Sequence, residues 1–218
     1  RGGVRGLKIA WSKNYGYAPV DSEVADCVAK AVKTFSDLGA EIEETDPPIN
    51  GEQIFETFKT IFWSDYSSVY DGLLNSSATD LTDEVRLGLQ EARSWNAGKV
   101  INALHELEWH RERMRRFFDD VDLLLSPALA VPAFPIQESP HLINGLPVDQ
   151  MWGYTPFTFP INMSGQTAAT VPCGFSSDGL PIGLHIVGPK GGEIQVIRAS
   201  AAFEEAQSWQ HHRPLGFD

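Results

Sequence analysis

Apolar and polar positions recur with two periods along this chain, one near two residues and one near three and a half. The run LKIAWS at residues 7–12 is short and apolar and predicts a strand, and NYGYAP follows as a loop. Asp21 stands where a helix N-cap is expected, with Glu23 in the first turn. Val24, Cys27, Val28, Ala31, Val32, Phe35 and Leu38 then recur at helical spacing, and Gly39 follows as a stop. EIEE alternates and ends at Asp46-Pro47-Pro48, predicting a second short strand. Strand, helix, glycine and strand in that order make a βαβ unit, which requires a sheet with a parallel part.

The middle of the chain predicts helices. Residues 50–74 are rich in aromatics and predict one helix or two, interrupted at DGLLNSSATD. A further helix is expected over residues 82–94, with Thr82 as its cap. The longest is expected over residues 97–119, with Val100, Ile101, Leu104, Leu107, Met114, Phe117 and Phe118 on its buried face. Its basic run HRERMRR could serve an anion site, but Glu112 inside the run favours a solvated, ion-paired face. VDLLLSP predicts a buried strand ended by Pro127, and residues 127–150, rich in proline and without periodicity, predict a long loop.

Residues 154–189, YTPFTFPINMSGQTAATVPCGFSSDGLPIGLHIVGP, carry one formally charged side chain, Asp178. AATVPCGF, SSDG and LPIGLHIVG predict strand, turn and strand, a hairpin whose lack of charge implies that both faces are covered. Residues 192–207 predict a closing helix, and WQHHRPLGFD a tail. No internal repeat or low-complexity segment is present.

Composition narrows the classes. The 218 residues are 42% hydrophobic and 21% charged, an ordinary globular balance. A net charge of -12 disfavours nucleic acid and anionic membrane surfaces as partners. Cys27 and Cys173 are distant in sequence and form no CxxC pair or disulfide framework, so a reducing compartment, the cytoplasm, is expected. No apolar run approaches the ~20 residues a membrane span needs. The start RGGVRGLKIAW has no apolar stretch suited to a signal peptide, and it does not begin with Met. The expectation is a processed or trimmed product, or a piece of something longer.

Spacing alone yields no catalytic set. Ser164 in NMSGQ is not a nucleophile elbow. Ser176 and Ser177 belong to turn chemistry, and Cys173 follows Pro172 within a strand as a core thiol. His105 and His110 are five apart and do not share a helix face; His211 and His212 lie in the tail; His185 alternates with apolar residues and reads as structural. No metal ligand set, P-loop or dinucleotide fingerprint is present, and no cofactor is expected.

The run FTFPINMSGQTAATVPCGFSSDGLPIGLHIVGP strongly resembles the C-terminal part of the amidase signature family. So does the order of LKIAWSKNYGYAPVDSEV, VDLLLSPALAVPAFPI and AAFEEAQSW. The resemblance runs from about residue 7 to 214; it is most specific over 160–188 and loose over 50–119. It implies an α/β fold, a mixed sheet flanked by helices, of which residues 1–218 would be the C-terminal portion of an amidase domain. It also implies a carbon–nitrogen hydrolase acting on amides through a Ser-Ser-Lys triad, one serine the nucleophile, the lysine and a second serine on a cis peptide relaying the proton. Those residues belong to the N-terminal part of family members. No Gly-Gly-Ser-Ser-Gly-Gly run occurs in this chain. No catalytic residue is therefore carried over, and the chain alone is expected to be inactive.

What the resemblance assigns here is pocket wall. Relatives such as the glutamyl-tRNA amidotransferase A subunit carry an Asp-containing sequence where this chain has Trp152, Gly153, Tyr154 and Thr155. Without that acidic group, the expected substrate is a small apolar or aryl amide. Arg86 falls roughly where those relatives use an arginine for a substrate carboxylate, although a solvated helix arginine is the competing reading. Phe58 and Trp63 could line the pocket, or be core aromatics at helical spacing. Trp152, Tyr154, Thr155, Phe58 and Arg86 are the candidate substrate-binding residues. The expected partners are the amide substrate and either the absent N-terminal half or a second copy. Two other functions stay open: a non-catalytic binding module with an exposed apolar face, and the A subunit of a glutamyl-tRNA amidotransferase.

Overall fold

The computed structural model describes residues 3–76 and 81–209. The predicted βαβ unit is there: β1 (Lys8–Trp11), α1 (Ser22–Asp37) and β2 (Glu41–Glu44), with β1 and β2 parallel. The Asp21 carboxylate caps α1 by accepting from the Glu23 amide at 2.8 Å. Val24, Val28, Ala31, Val32 and Phe35 are buried, and Cys27 is half-buried. Gly39 ends the helix with φ +93°, a left-handed value suited to glycine.

A helical layer follows, made of α2 (Gly51–Tyr70), the short α3 (Leu73–Ser76), α4 (Asp83–Ala92) and α5 (Ala97–Phe117). Thr82 caps α4 as expected, accepting from the Val85 amide. Helix α2 packs against both α4 and α5. The α2–α4 approach is close because Gly88 has no side chain: a Cβ there would lie 2.2 Å from the Trp63 ring. The expected buried face of α5 is corrected. Ala103, Glu106, His110 and Met114 are buried, whereas Ile101 and Leu104 are exposed. Two polar groups lie on the buried face, and each is paired. Glu106 pairs with Arg113 at 2.6 Å, and the His110 Nε2 reaches the Pro160 carbonyl at 2.8 Å. The basic run is ion-paired surface, with Arg111 on Glu108 and both Arg115 and Arg116 on Glu112.

Strand β3 (Leu123–Pro127) is buried throughout. The loop after it is not structureless: β4 (Leu142–Ile143) and β5 (Leu146–Pro147) form a small antiparallel hairpin. Its turn is Asn144-Gly145, with φ +50° and +77°. Then come the short helix α6 (Phe159–Ser164), β6 (Thr167–Phe175), β7 (Pro181–Gly188) and α7 (Glu193–Ala206). The β6–β7 turn uses the expected chemistry, with Ser176 Oγ accepting from the Leu180 amide at 3.1 Å and Gly179 at φ +77°.

Among the described residues, five strands form one sheet in the order β2-β1-β3-β7-β6. β1 is parallel to both β2 and β3; β7 is antiparallel to β3 and β6. The result is the expected mixed sheet flanked by helices. Helices α1 and α7 cover one face, where Phe35 stacks on Phe203 at 5.4 Å. On the other face Ala10, Tyr15, Leu124 and Val187 pack with Met114, Phe157 and Ile161. The edges differ. β2 is blunted by Glu41, Glu43 and Glu44, whereas β6 carries no charge. β6 also corrects an expectation. β7 is covered, but Ala168 and Thr170 of β6 are exposed, because no described helix lies over that face of the edge strand.

Candidate functional site

The segment between β5 and α6 is a chain of tight turns. The Asp149 carboxylate accepts from the Met151 and Trp152 amides, both at 2.9 Å. Gly153 closes back on the Asp149 carbonyl at 2.8 Å, and a Cβ at Gly153 would come within 2.5 Å of that oxygen. The Trp152 carbonyl then takes both the amide and the hydroxyl of Thr155, each at 2.9 Å. Two outside contacts hold these turns, and a third holds the start of α6 behind them. The Ala130 amide donates to the Tyr154 carbonyl at 3.0 Å, the Tyr17 hydroxyl to the Pro156 carbonyl at 2.7 Å, and His110 to Pro160. Burial raises the Tyr17 phenol well above its ordinary value, keeping it a neutral donor. Burial likewise lowers His110, partly opposed by its bond to Pro160, so a neutral ring with the proton on Nε2 satisfies that carbonyl.

This frame sets the Trp152 indole into aromatics projected by α2. Phe58 meets it edge-on at 4.9 Å and Phe62 at 5.0 Å, while Phe58 stacks on Phe159 at 4.9 Å. The spacing of Phe55, Phe58, Phe62 and Tyr66 along α2 places these rings on one stripe. The Trp152 Nε1 is buried with no hydrogen-bond partner among the described residues. A hollow of about 160 Å³ lies against one side of Trp152, lined by Tyr17, Phe55, Asp149 and Phe159. A groove of about 310 Å³ lies between Trp152, Trp63, Lys59 and Leu87.

The five candidate residues are only partly gathered. Phe58 and Trp152 touch, and Thr155 is tied to Trp152 through backbone, its hydroxyl already engaged. Tyr154 turns away, packing edge-on against Phe134 at 5.0 Å. Arg86 is engaged by its own helix start, donating to the Leu81 carbonyl at 3.1 Å and pairing with Asp83 at 3.4 Å. Trp63 is buried against α4, the core reading of that residue.

A third concavity lies away from Trp152, where no sequence motif marks it. A groove of about 490 Å³ lies past the end of β3, between Leu129, Val131, Thr158, Thr170 and Pro172. It opens beside the uncovered face of β6. Ligands of open α/β sheets commonly bind beyond the carboxyl ends of strands, and Pro127 at the end of β3 was the available signal. Among the described residues no cluster of three or more His, Cys, Asp or Glu side chains could hold a metal ion, and no helix is long and apolar enough to cross a membrane.

Comparison with known proteins locates this architecture. The amidase family model matches residues 2–197. An acylamidase of Rhodococcus erythropolis is 31% identical over 98% of this chain and 45% of its own length. An amidase of Pseudomonas putida is 32% identical over 97% of this chain and 45% of its own length. The A subunit of the glutamyl-tRNA(Gln) amidotransferase of Halothermothrix orenii is 30% identical over 97% of this chain and 48% of its own length. The crystal structure of a bacterial aryl acylamidase of the amidase signature family superposes with a TM-score of 0.87 at 30% identity, covering 98% of this chain and 47% of that one. The chain thus spans about half the length of the curated relatives it matches. A family match over most of the chain, on the same fold, means that it belongs to the amidase signature family.

Proposed function

We propose that this chain is the C-terminal part of an amidase that cleaves the carbon–nitrogen bond of a small apolar or aryl amide. In this reading the Ser-Ser-Lys triad lies on sequence outside residues 1–218, and the chain supplies half the fold and one pocket wall. The observation that carries the substrate class is the aromatic setting of Trp152, with Phe58 and Phe62 edge-on to it and Phe159 stacked on Phe58. Similarity to an acylamidase and to an aryl acylamidase supports the same class. A cytoplasmic setting without a cofactor belongs to the proposal.

The test begins with the native gene product, whose intact mass and upstream reading frame establish its length. A longer product should hydrolyse an anilide faster than a short charged amide. Trp152→Ala should lower kcat/KM for the anilide by about 10- to 100-fold through KM, with Trp152→Phe retaining most of it. Residues 1–218 alone should show no turnover. Turnover by that chain, blocked by a serine-directed inhibitor, would overturn the placement of the triad.

The exposed face of β6 favours a second reading, a non-catalytic module that binds a partner or a second copy there. Relatives that are A subunits of amidotransferases support a third. The charge of -12 and the lack of an acidic residue at positions 152–155 weigh against it.

A further inference from the structure

Cys27 and Cys173 are 146 positions apart, yet the fold brings their sulfurs to 3.7 Å, both as free thiols. Cys27 projects from the second turn of α1, and Cys173 lies on the edge strand β6. Two features make room for the pair. The β6–β7 register slips between Pro172 and Gly174, so Cys173 is the additional residue of a bulge and has no partner position in β7. Its neighbour Gly174 has no side chain, and a Cβ there would lie 2.5 Å from the Cys27 sulfur. Closing from 3.7 Å to the ~2.0 Å of a bond therefore asks for rotation of two side chains and a shift of a bulged edge position.

We propose that Cys27 and Cys173 are a redox-responsive pair that closes to a disulfide by exchange with a low-molecular-weight disulfide, pinning β6 to α1. The Cys27 thiolate attacks the small disulfide, forming a mixed disulfide and releasing one small thiolate. The Cys173 thiolate then attacks the Cys27 sulfur of that mixed disulfide and releases the second. The protons given up by the two cysteines leave on the two small thiols, so one disulfide is reduced as one forms. Cys27 enters first. Burial raises both thiols, but at Cys27 the hydrogen bond with the Cys173 thiol and then the Lys30 ammonium one turn on oppose the rise. Val24, one turn before Cys27, and Pro172, beside Cys173, both border the groove past β3. The bond ties together two walls of that groove and holds the uncovered edge strand in place. None of this depends on the amidase reading.

The test is to equilibrate the protein, at its native length, with oxidised glutathione and map its peptides without reduction. The expected result is a crosslinked peptide pair carrying Cys27 and Cys173 within one molecule. The expected rise in Tm is about 5–10 °C, reversed by dithiothreitol and absent in Cys27→Ser. The peptide pair is diagnostic even if that variant fails to fold. Glutathione adducts alone, crosslinks only between molecules, or both cysteines still reduced after equilibration would each overturn the proposal.

Discussion

His185 sits in the middle of the sheet, opposite Ser126 of β3 on one side and Thr170 of β6 on the other. It is 5% exposed, and its Nδ1 has no hydrogen-bond partner among the described residues. Burial pushes it down from the ordinary 6.5 to about 4. The unfolded chain therefore binds a proton below about 6.5, where the folded chain stays neutral until about 4. This contribution to stability is fully present above 6.5 and is lost as pH falls through that window, reaching about 3 kcal/mol. Urea unfolding at pH 7 and pH 4.5 should show the wild type losing more than His185→Gln, by about 2–3 kcal/mol. Equal losses would mean that His185 is solvated in the folded protein. The structural reading of this residue followed from its alternation with apolar neighbours. Its place between β3 and β6 did not, because strand order joins residues far apart in sequence.

Among elements, α1 shows how much local chemistry specifies. Its cap, first-turn acid, apolar stripe and terminal glycine all act as their positions imply. Asp21→Ala should cost about 1 kcal/mol in denaturant unfolding, and Asp21→Asn far less, because the amide oxygen also caps. Helix α5 is the counterexample. Its apolar residues suggest one stripe, but the stripe that packs includes Glu106 and His110. Glu106 pairs within the helix, with Arg113, but the partner of His110 is the Pro160 carbonyl, 50 residues away, and that contact fixes which way the helix turns. The β4–β5 hairpin was legible in principle, since Asn144-Gly145 is a strong turn signal. The prolines around it and the two-residue strands hid it.

For the whole molecule, the two sheet edges predict its behaviour in solution. β2 is protected by glutamates, whereas β6 offers an uncharged edge with Ala168 and Thr170 exposed. Residues 1–218 on their own should self-associate or bind a hydrophobic dye, and Thr170→Lys should reduce both. Light scattering and dye fluorescence give the answer, and a monomer without dye binding removes the argument for a docking face. Trp152 belongs to this scale too. Nothing near it in sequence supplies Phe58 or Phe62; packing of α2 onto the turns before α6 does.

The sequence by itself determined the βαβ start, the helix caps, the β6–β7 hairpin and, through its resemblance, the family. Each of these rests on spacing within a few residues or on a contiguous motif. Tertiary structure alone decided the exposed face of β6, the inward face of α5, the groove past β3 and the meeting of Cys27 with Cys173. Those depend on which distant surfaces pack, and a hydrophobic pattern records that a side chain prefers burial without recording what buries it.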